Sequence, residues 1–352
     1  MRRLYLPLAA LIIFTLILCS MSYGGGGSRA YYRPAVGPSV EKVQTREIAL
    51  EAQSELKLDV RDGNITLTPW EGDSLQVKET KRLKAPGSRK SLEDCMDEYT
   101  TLYRSNPYDI SISTGQPEKL TPFSRVTTDF EFKVPEKLRS LTITAVNGSI
   151  GLSGFDGLSA VDLKLETGTI TAKESKAFRF DFTVKRGDIK AEKLEGRASF
   201  KAVHGNTGLS DIKGDIQLKT TSGDAVLKHF EGRADCDISK GSLEVDASLL
   251  RSDSSLYVSR GDISADVSGI DREGSYSFMT ADGAIGLMLP EAEGFSLKAK
   301  SENGRVLNGL SDAAAGGLAS DGRELSGRVG SGGPDINIYT DRGEISLSGR
   351  SS

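Results

Sequence analysis

The chain of 352 residues carries two histidines, three cysteines and one tryptophan, and each scarcity closes a class of chemistry. Neither His204 nor His229 has Cys or Asp partners at zinc-ligand spacing, so a structural or catalytic zinc centre lacks a ligand set. Cys19 directly follows an apolar N-terminal run, which leaves Cys95 and Cys236 for the rest of the chain. Two cysteines in a chain of this length do not make a disulfide scaffold, and stability must come from packing. Charge of one sign is not blocked either. The 45 basic and 49 acidic residues are interspersed with a net charge of -4, and the clustered basic stripe that nucleic acid demands is missing. The glycine-rich nonapeptide that binds calcium in its turns is absent, as is an EF-hand loop. No cofactor is therefore expected. Against 12 Phe and 10 Tyr stand 39 Gly, a balance that points to many turns around a core of small aliphatic side chains.

Long apolar runs are lacking except at the start, where Arg2 and Arg3 precede the stretch from Leu4 to Leu18. That stretch is too short to cross a bilayer comfortably and is placed like a signal-peptide core. Small-residue triplets at Ser20-Met21-Ser22 and Ser22-Tyr23-Gly24 offer cleavage sites, so residues 1–22 are expected to be a signal peptide. The mature chain would be periplasmic, cell-surface or secreted. A rival reading comes from Leu16-Ile17-Leu18-Cys19, which resembles a lipobox and would make Cys19 a lipidated N-terminus. Leu18 departs from the small residue that such a motif places before its cysteine. A membrane contact is expected only through that anchor.

Residues 23–46 read as a flexible linker without apolar period, and order is expected to begin near Glu47. From Ile48 to Val77 apolar and polar residues alternate in short runs split at Asp62-Gly63 and Glu71-Gly72-Asp73, the pattern of strands and hairpins. One helix candidate follows. It opens at Ser91 with Glu93 and Asp94 in its first turn and places Leu92, Cys95, Met96, Tyr99, Leu102 and Tyr103 on one face, which would bury Cys95. These elements define an N-terminal β-rich subdomain over 47–145.

From 146 to 349 the chain repeats. Turn glycines stand at Gly148, Gly168, Gly187, Gly205, Gly223, Gly241, Gly261, Gly283 and Gly304, spaced 18 to 22 residues apart. Second glycines at Gly196, Gly214, Gly232 and Gly274 each fall nine residues before the next turn glycine. Aligned on the turns, Ile189, Thr207, Ala225, Leu243, Ile263 and Ile285 form one column, and Ala191, Leu209, Leu227, Val245, Ala265 and Leu287 another. Lys190, Lys201, Gln217 and Lys219 fall between such columns. Period-two alternation with one apolar face means that a single coil cannot bury its inner side, whereas stacked coils bury it continuously at about 4.8 Å per coil. The expected fold is all-β: a β-solenoid of parallel strands, right-handed by default, spanning on the order of 40 Å. Residues 309–333, rich in Gly, Ala and Ser, read as an exposed insertion before a terminal coil that restarts at Ile336.

Three segments carry a family resemblance: Leu58-Asp59-Val60-Arg61-Asp62-Gly63-Asn64-Ile65-Thr66-Leu67 with Trp70 soon after, the run from Phe132 through Asn147-Gly148-Ser149-Ile150, and the closing stretch from Gly332 to Ile345. In these the chain resembles the bacterial β-strand repeat family of adhesin-like proteins, a domain of unknown function. The resemblance implies the solenoid, says little of function and supplies no catalytic or ligand residues; the expected role, an adhesin-like non-catalytic interaction, comes from an exported rod with repeated polar strand faces.

Two alternatives stand beside that role. Asp188, Asp224 and Asp262 each follow a turn glycine, and Asp188 and Asp224 would lie roughly 9.6 Å apart across two coils, near the carboxylate separation of an inverting glycosidase. Asn206 and Ser242 occupy the same position, which speaks for turn chemistry instead. A polysaccharide-active hydrolase or lyase is thus one alternative and a passive envelope scaffold the other. Trp70 is expected to pack into the body, His204 and His229 to be surface residues, and Cys236 to be a small buried hydrophobe. The expected partner is a protein or polysaccharide of the cell envelope or surface.

Overall fold

A computed structural model describes residues 37–115, 124–311 and 318–350. The described residues divide into two compact units that part between Ser153 and Gly154. That break falls later than the expected boundary at 145/146, because the strand Ser140–Ser153 runs straight through the turn glycine Gly148.

In the second unit the repeat forms two parallel ladders. One is built from the halves of each coil that follow a turn glycine. It stacks Ile189 on Ile170, Thr207 on Ile189, Ala225 on Thr207, Leu243 on Ala225, Ile263 on Leu243 and Ile285 on Ile263. The other is built from the halves that precede the turn, with Ala198, Ile216 and Ala234 in register and Leu256 and Phe278 continuing from Cys236. Every expected inward residue of the two columns is buried, Thr207 included at 1 % exposure. The larger rings Phe182 and Phe200 meet edge to face at 5.6 Å, the kind of contact that adds to burial in an aliphatic core.

The turn column requires glycine for a steric reason visible at Gly223. Its φ is +143°, and a Cβ there would sit 1.9 Å from the Gly205 carbonyl oxygen of the preceding coil. An L side chain is disfavoured at that φ and would also break the coil spacing.

The stack does not end as the chain does. After Ile285–Pro290 the chain skips one level, and the coil formed by Phe295–Ser301 and Val306–Gly309 is outermost. The last coil, Asp335–Arg342 and Ile345–Arg350, then slides in between. Gly343 accordingly stands over the Gly283 carbonyl, and Gly304 over that of Gly343. Buried hydroxyls bind the levels in this order: Thr280 donates to Gly261 O at 3.0 Å, Thr340 to Gly283 O at 3.0 Å and Ser301 to Gly343 O at 2.8 Å. The expected terminal coil is therefore interior. The segment 309–333, expected as an exposed insertion, contains the strands Leu318–Ser320 and Glu324–Val329. The second runs antiparallel to Phe295–Ser301 and buries Leu325 and Val329, closing the open edge of the outermost strand. Residues 312–317 lie outside the described part.

The first unit uses the same device. Glu55–Asp62 lies between Asp109–Thr114 and Ser140–Ser153, parallel to both, so its earliest coil is sandwiched between later ones. Antiparallel strands cover the outer coil: Ser74–Lys84 on Arg125–Pro135, Ser39–Ala49 on Ser74–Lys84, and Thr101–Ser105 on Asp109–Thr114. Among the described residues strand structure thus begins at Ser39, inside the segment expected to be linker, because pairing with Ser74–Lys84 satisfies a backbone whose side chains alone show no period.

The helix spans Arg89–Glu98 and is capped by Ser88, whose hydroxyl accepts from the Ser91 N–H at 3.3 Å. It is shorter than the apolar spacing suggested. Leu102 and Tyr103 belong to the strand Thr101–Ser105, and the buried stripe narrows to Leu92, Met96 and Tyr99 against Val40, Leu83, Ala85 and Val126. Cys95 lies to one side of that stripe and is exposed, contrary to expectation.

Candidate interaction surface

The aspartates after the turn glycines form a ladder between coils. Asp188 Oδ1 accepts from Asn206 N–H at 2.9 Å, Asn206 Oδ1 from Asp224 N–H at 2.9 Å, and Asp224 Oδ1 from Ser242 N–H at 2.8 Å. Asp262 does the same for Ala284 at 2.8 Å. Each side chain tethers the next coil through one oxygen, and an asparagine serves in the series as well as an aspartate does. The arrangement gives a structural reason for acids at these positions. Among the described residues, no three His, Cys, Asp or Glu side chains converge as a metal-binding group.

His204 and His229 are both exposed. His229 sits at a left-handed corner position, φ +51°, with Nδ1 3.4 Å from Asp211 and Nε2 3.8 Å from Asp246. Glu174, Lys193 and Asp211 also have positive φ, and Lys193 pairs with Glu174 at 3.1 Å. This edge is therefore a row of polar and charged residues that repeats a left-handed backbone position from coil to coil. Trp70 is half-buried and folds over its own turn, donating Nε1–H to Ser74 O at 2.9 Å with Gly72 against its ring. Cys236 is 1 % exposed, and burial pushes its thiol pKa well above the ordinary range. Cys19 lies outside the described residues.

What remains open to a partner is the outward side of the strands. Lys190, Lys201, Gln217 and Lys219 are all exposed, with Lys201 beside Lys219 on adjacent strands and Lys219 paired with Asp237 at 3.2 Å. Nearer the second glycines, Arg179, Arg197 and Arg233 line a groove of about 400 Å³ together with Asp215 and Asp235. A third feature was not legible in the sequence. Tyr257, Met279 and Tyr339 stand side by side on three neighbouring strands, 39 %, 39 % and 36 % exposed. The repeat alignment could have paired Tyr257 with Met279, but only the out-of-order last coil brings Tyr339 beside them.

One charged pair is internal to the first unit. Glu79 and Lys81 lie on the inward side of Ser74–Lys84, with side chains 1 % and 9 % exposed and 3.1 Å apart. Tyr103 donates to Glu79 at 3.0 Å, Thr101 also donates to Glu79, and Lys81 donates to Tyr99 O at 2.7 Å. Arg46 stacks 4.5 Å from the centre of the Tyr103 ring. Burial lowers the Lys81 pKa and raises that of Tyr103, while the hydrogen bonds to Glu79 and from Lys81 offset part of the cost of burying the pair.

Coils stacked in register, each turning on a glycine, and capped by antiparallel strands define a β-solenoid-like repeat domain. The chain belongs to the Toastrack DUF4097 family, whose model matches residues 54–348. Among solved structures, similar chains include a candidate cell adhesion protein from Clostridium sporogenes, 10 % identical over 88 % of this chain and 100 % of that one, with a TM-score of 0.17. A candidate lipid binding protein from Parabacteroides distasonis is 11 % identical over 88 % and 97 %, TM-score 0.37. A candidate adhesin from Bacteroides fragilis is 12 % identical over 88 % and 97 %, TM-score 0.27. The search of curated proteins gave no match.

Proposed function

We propose that the protein is an exported, non-catalytic interaction protein of the cell envelope or surface, binding a protein or polysaccharide through the outward side of its second unit. The observation that carries this reading is the division of labour along each strand. Inward residues are buried and consumed by packing, whereas Lys190, Lys201, Gln217 and Lys219 project from a fixed hydrogen-bonded frame without supporting it. A surface of that kind varies at little cost to the fold, as repeat domains that bind partners allow. Export by the N-terminal signal, with or without a lipid at Cys19, would place it where such partners are.

The test pairs isolated envelope with the purified mature chain. Sedimentation with envelope should be saturable for the wild type and weakened by replacing Lys190, Lys201 and Lys219 with Glu and Gln217 with Ala. Equal sedimentation of a folded variant would remove the outward strand surface from the account.

A further inference from the structure

From the stripe Tyr257–Met279–Tyr339 we infer a binding site for a linear glycan, specifically a chain of β-1,4-linked pyranose units lying across the strands. This rests on the interaction reading above and narrows it to one ligand class and one place.

The stripe has defined ends. The strand position before Tyr257 in the same column is Asp237, held by Lys219 at 3.2 Å, and the position after Tyr339 is Lys300, held by Glu302 at 2.7 Å. Between those ion pairs, three coils present two tyrosine rings with a methionine between them. Neighbouring coils are about 4.8 Å apart, so the strand positions of the two tyrosines are roughly 9.6 Å apart. In the flat, two-fold form of a β-1,4 pyranose chain each sugar is turned over relative to the last and advances by a length close to one coil. Its repeat is therefore two sugars, and the two tyrosines meet equivalent faces of alternate rings. Apolar C–H faces of sugars suit aromatic side chains whose phenol can also hydrogen-bond.

Polar partners for sugar hydroxyls flank the stripe on one side, and charged residues stand at the turn beyond its other side. Two residues earlier along each strand stand Ser255, Ser277 and Asn337 in register. Three residues later stand Arg260, Asp282 and Arg342, where Arg342 meets Asp282 at 3.2 Å. The strand rise of about 3.3 Å per residue puts the first row about 6.6 Å from the stripe, within reach of substituents at the edge of a sugar ring.

Area decides against a protein as the occupant. Three side chains about two-fifths exposed offer on the order of 250 Å² together, far below the ~800 Å² that each partner commits to a stable protein interface. A narrow polar-flanked stripe of that size suits an extended chain one sugar wide.

The test is gel retardation of the purified wild-type chain in soluble hydroxyethylcellulose, glycol chitin and xylan, followed by titration with the matching hexasaccharide. At least one polysaccharide should retard the wild type. Tyr257→Ala with Tyr339→Ala should weaken hexasaccharide binding at least tenfold without changing the melt, and Tyr257→Phe with Tyr339→Phe should keep most of it. Lack of retardation in all three overturns the site, and so does retardation that the double alanine variant leaves unchanged. If the wild type still sediments with envelope in those cases, the interaction reading stands and only the glycan site falls. Release of reducing ends by the wild type overturns both. Self-association abolished by the double alanine variant, without retardation, would assign the stripe to a second copy and overturn the glycan.

Discussion

Asp188 accepts a hydrogen bond from the backbone of Asn206, one coil away, at 2.9 Å, and Asn206 passes the same bond on to Asp224. The ladder explains why short acceptor side chains follow the turn glycines. Asn206→Ala should cost about 1 kcal/mol, because water replaces part of the lost exposed bond, whereas Asp188→Asn should leave stability nearly unchanged. Urea unfolding of the two variants checks this; equal losses would dissolve the ladder's structural role.

Gly223 tests the stacking itself. Valine there combines a left-handed backbone with a Cβ directed at the Gly205 carbonyl, and the loss should be at least about 3 kcal/mol. An unchanged midpoint in denaturant would mean the coils are not stacked as described.

The buried pair of the first unit makes an asymmetric prediction. Lys81→Met leaves Glu79 charged and buried, at a cost of about 3–5 kcal/mol. Adding Glu79→Gln should restore part of the loss, since an amide oxygen can still accept from Tyr103. Burial lowers the Lys81 pKa in the folded state below its ordinary 10.5. Between those two values the unfolded chain holds more protons, so this group favours folding increasingly as pH rises through the window, and its share is lost as pH falls through the folded value. Comparing unfolding of wild type and Lys81→Met from neutral to alkaline pH reads that slope. A parallel pair of curves would contradict it.

The cysteines should behave as unlike groups. Cys95 is exposed on the helix and Cys236 is buried with a raised pKa, so a thiol reagent should modify Cys95 in the folded chain and Cys236 only after unfolding. Mass mapping of the modified peptides decides it, and rapid labelling of Cys236 would place that coil outside the core.

The repeat was legible because its chemistry is local. A glycine at each turn and alternation along each strand fix which of Ile189, Lys190 and Ala191 face inward, and the ladders put them there. The order of the coils was not legible, since Ile336 and Ile338 would complete a coil equally well at the end of a stack or inside it. What selects the inside is the pairing of Asp335–Arg342 with strands on both of its edges, a long-range choice without a local mark. The same limit hid Ser39–Ala49, which is a strand by virtue of its partner, and the stripe at Tyr339. Cys95 was misplaced for a different reason: an apolar spacing that crosses a helix end says nothing of where the helix stops.

The function proposed for this protein is binding without catalysis, with its turn acids serving the fold. Its most direct test replaces Asp188, Asp224 and Asp262 together by Asn, an exchange the ladder already makes at Asn206, and measures polysaccharide cleavage and envelope binding beside the wild type. The account predicts an unchanged melt, retained binding and no cleavage by either protein. Robust cleavage by the wild type, abolished in the folded triple variant, would contradict it.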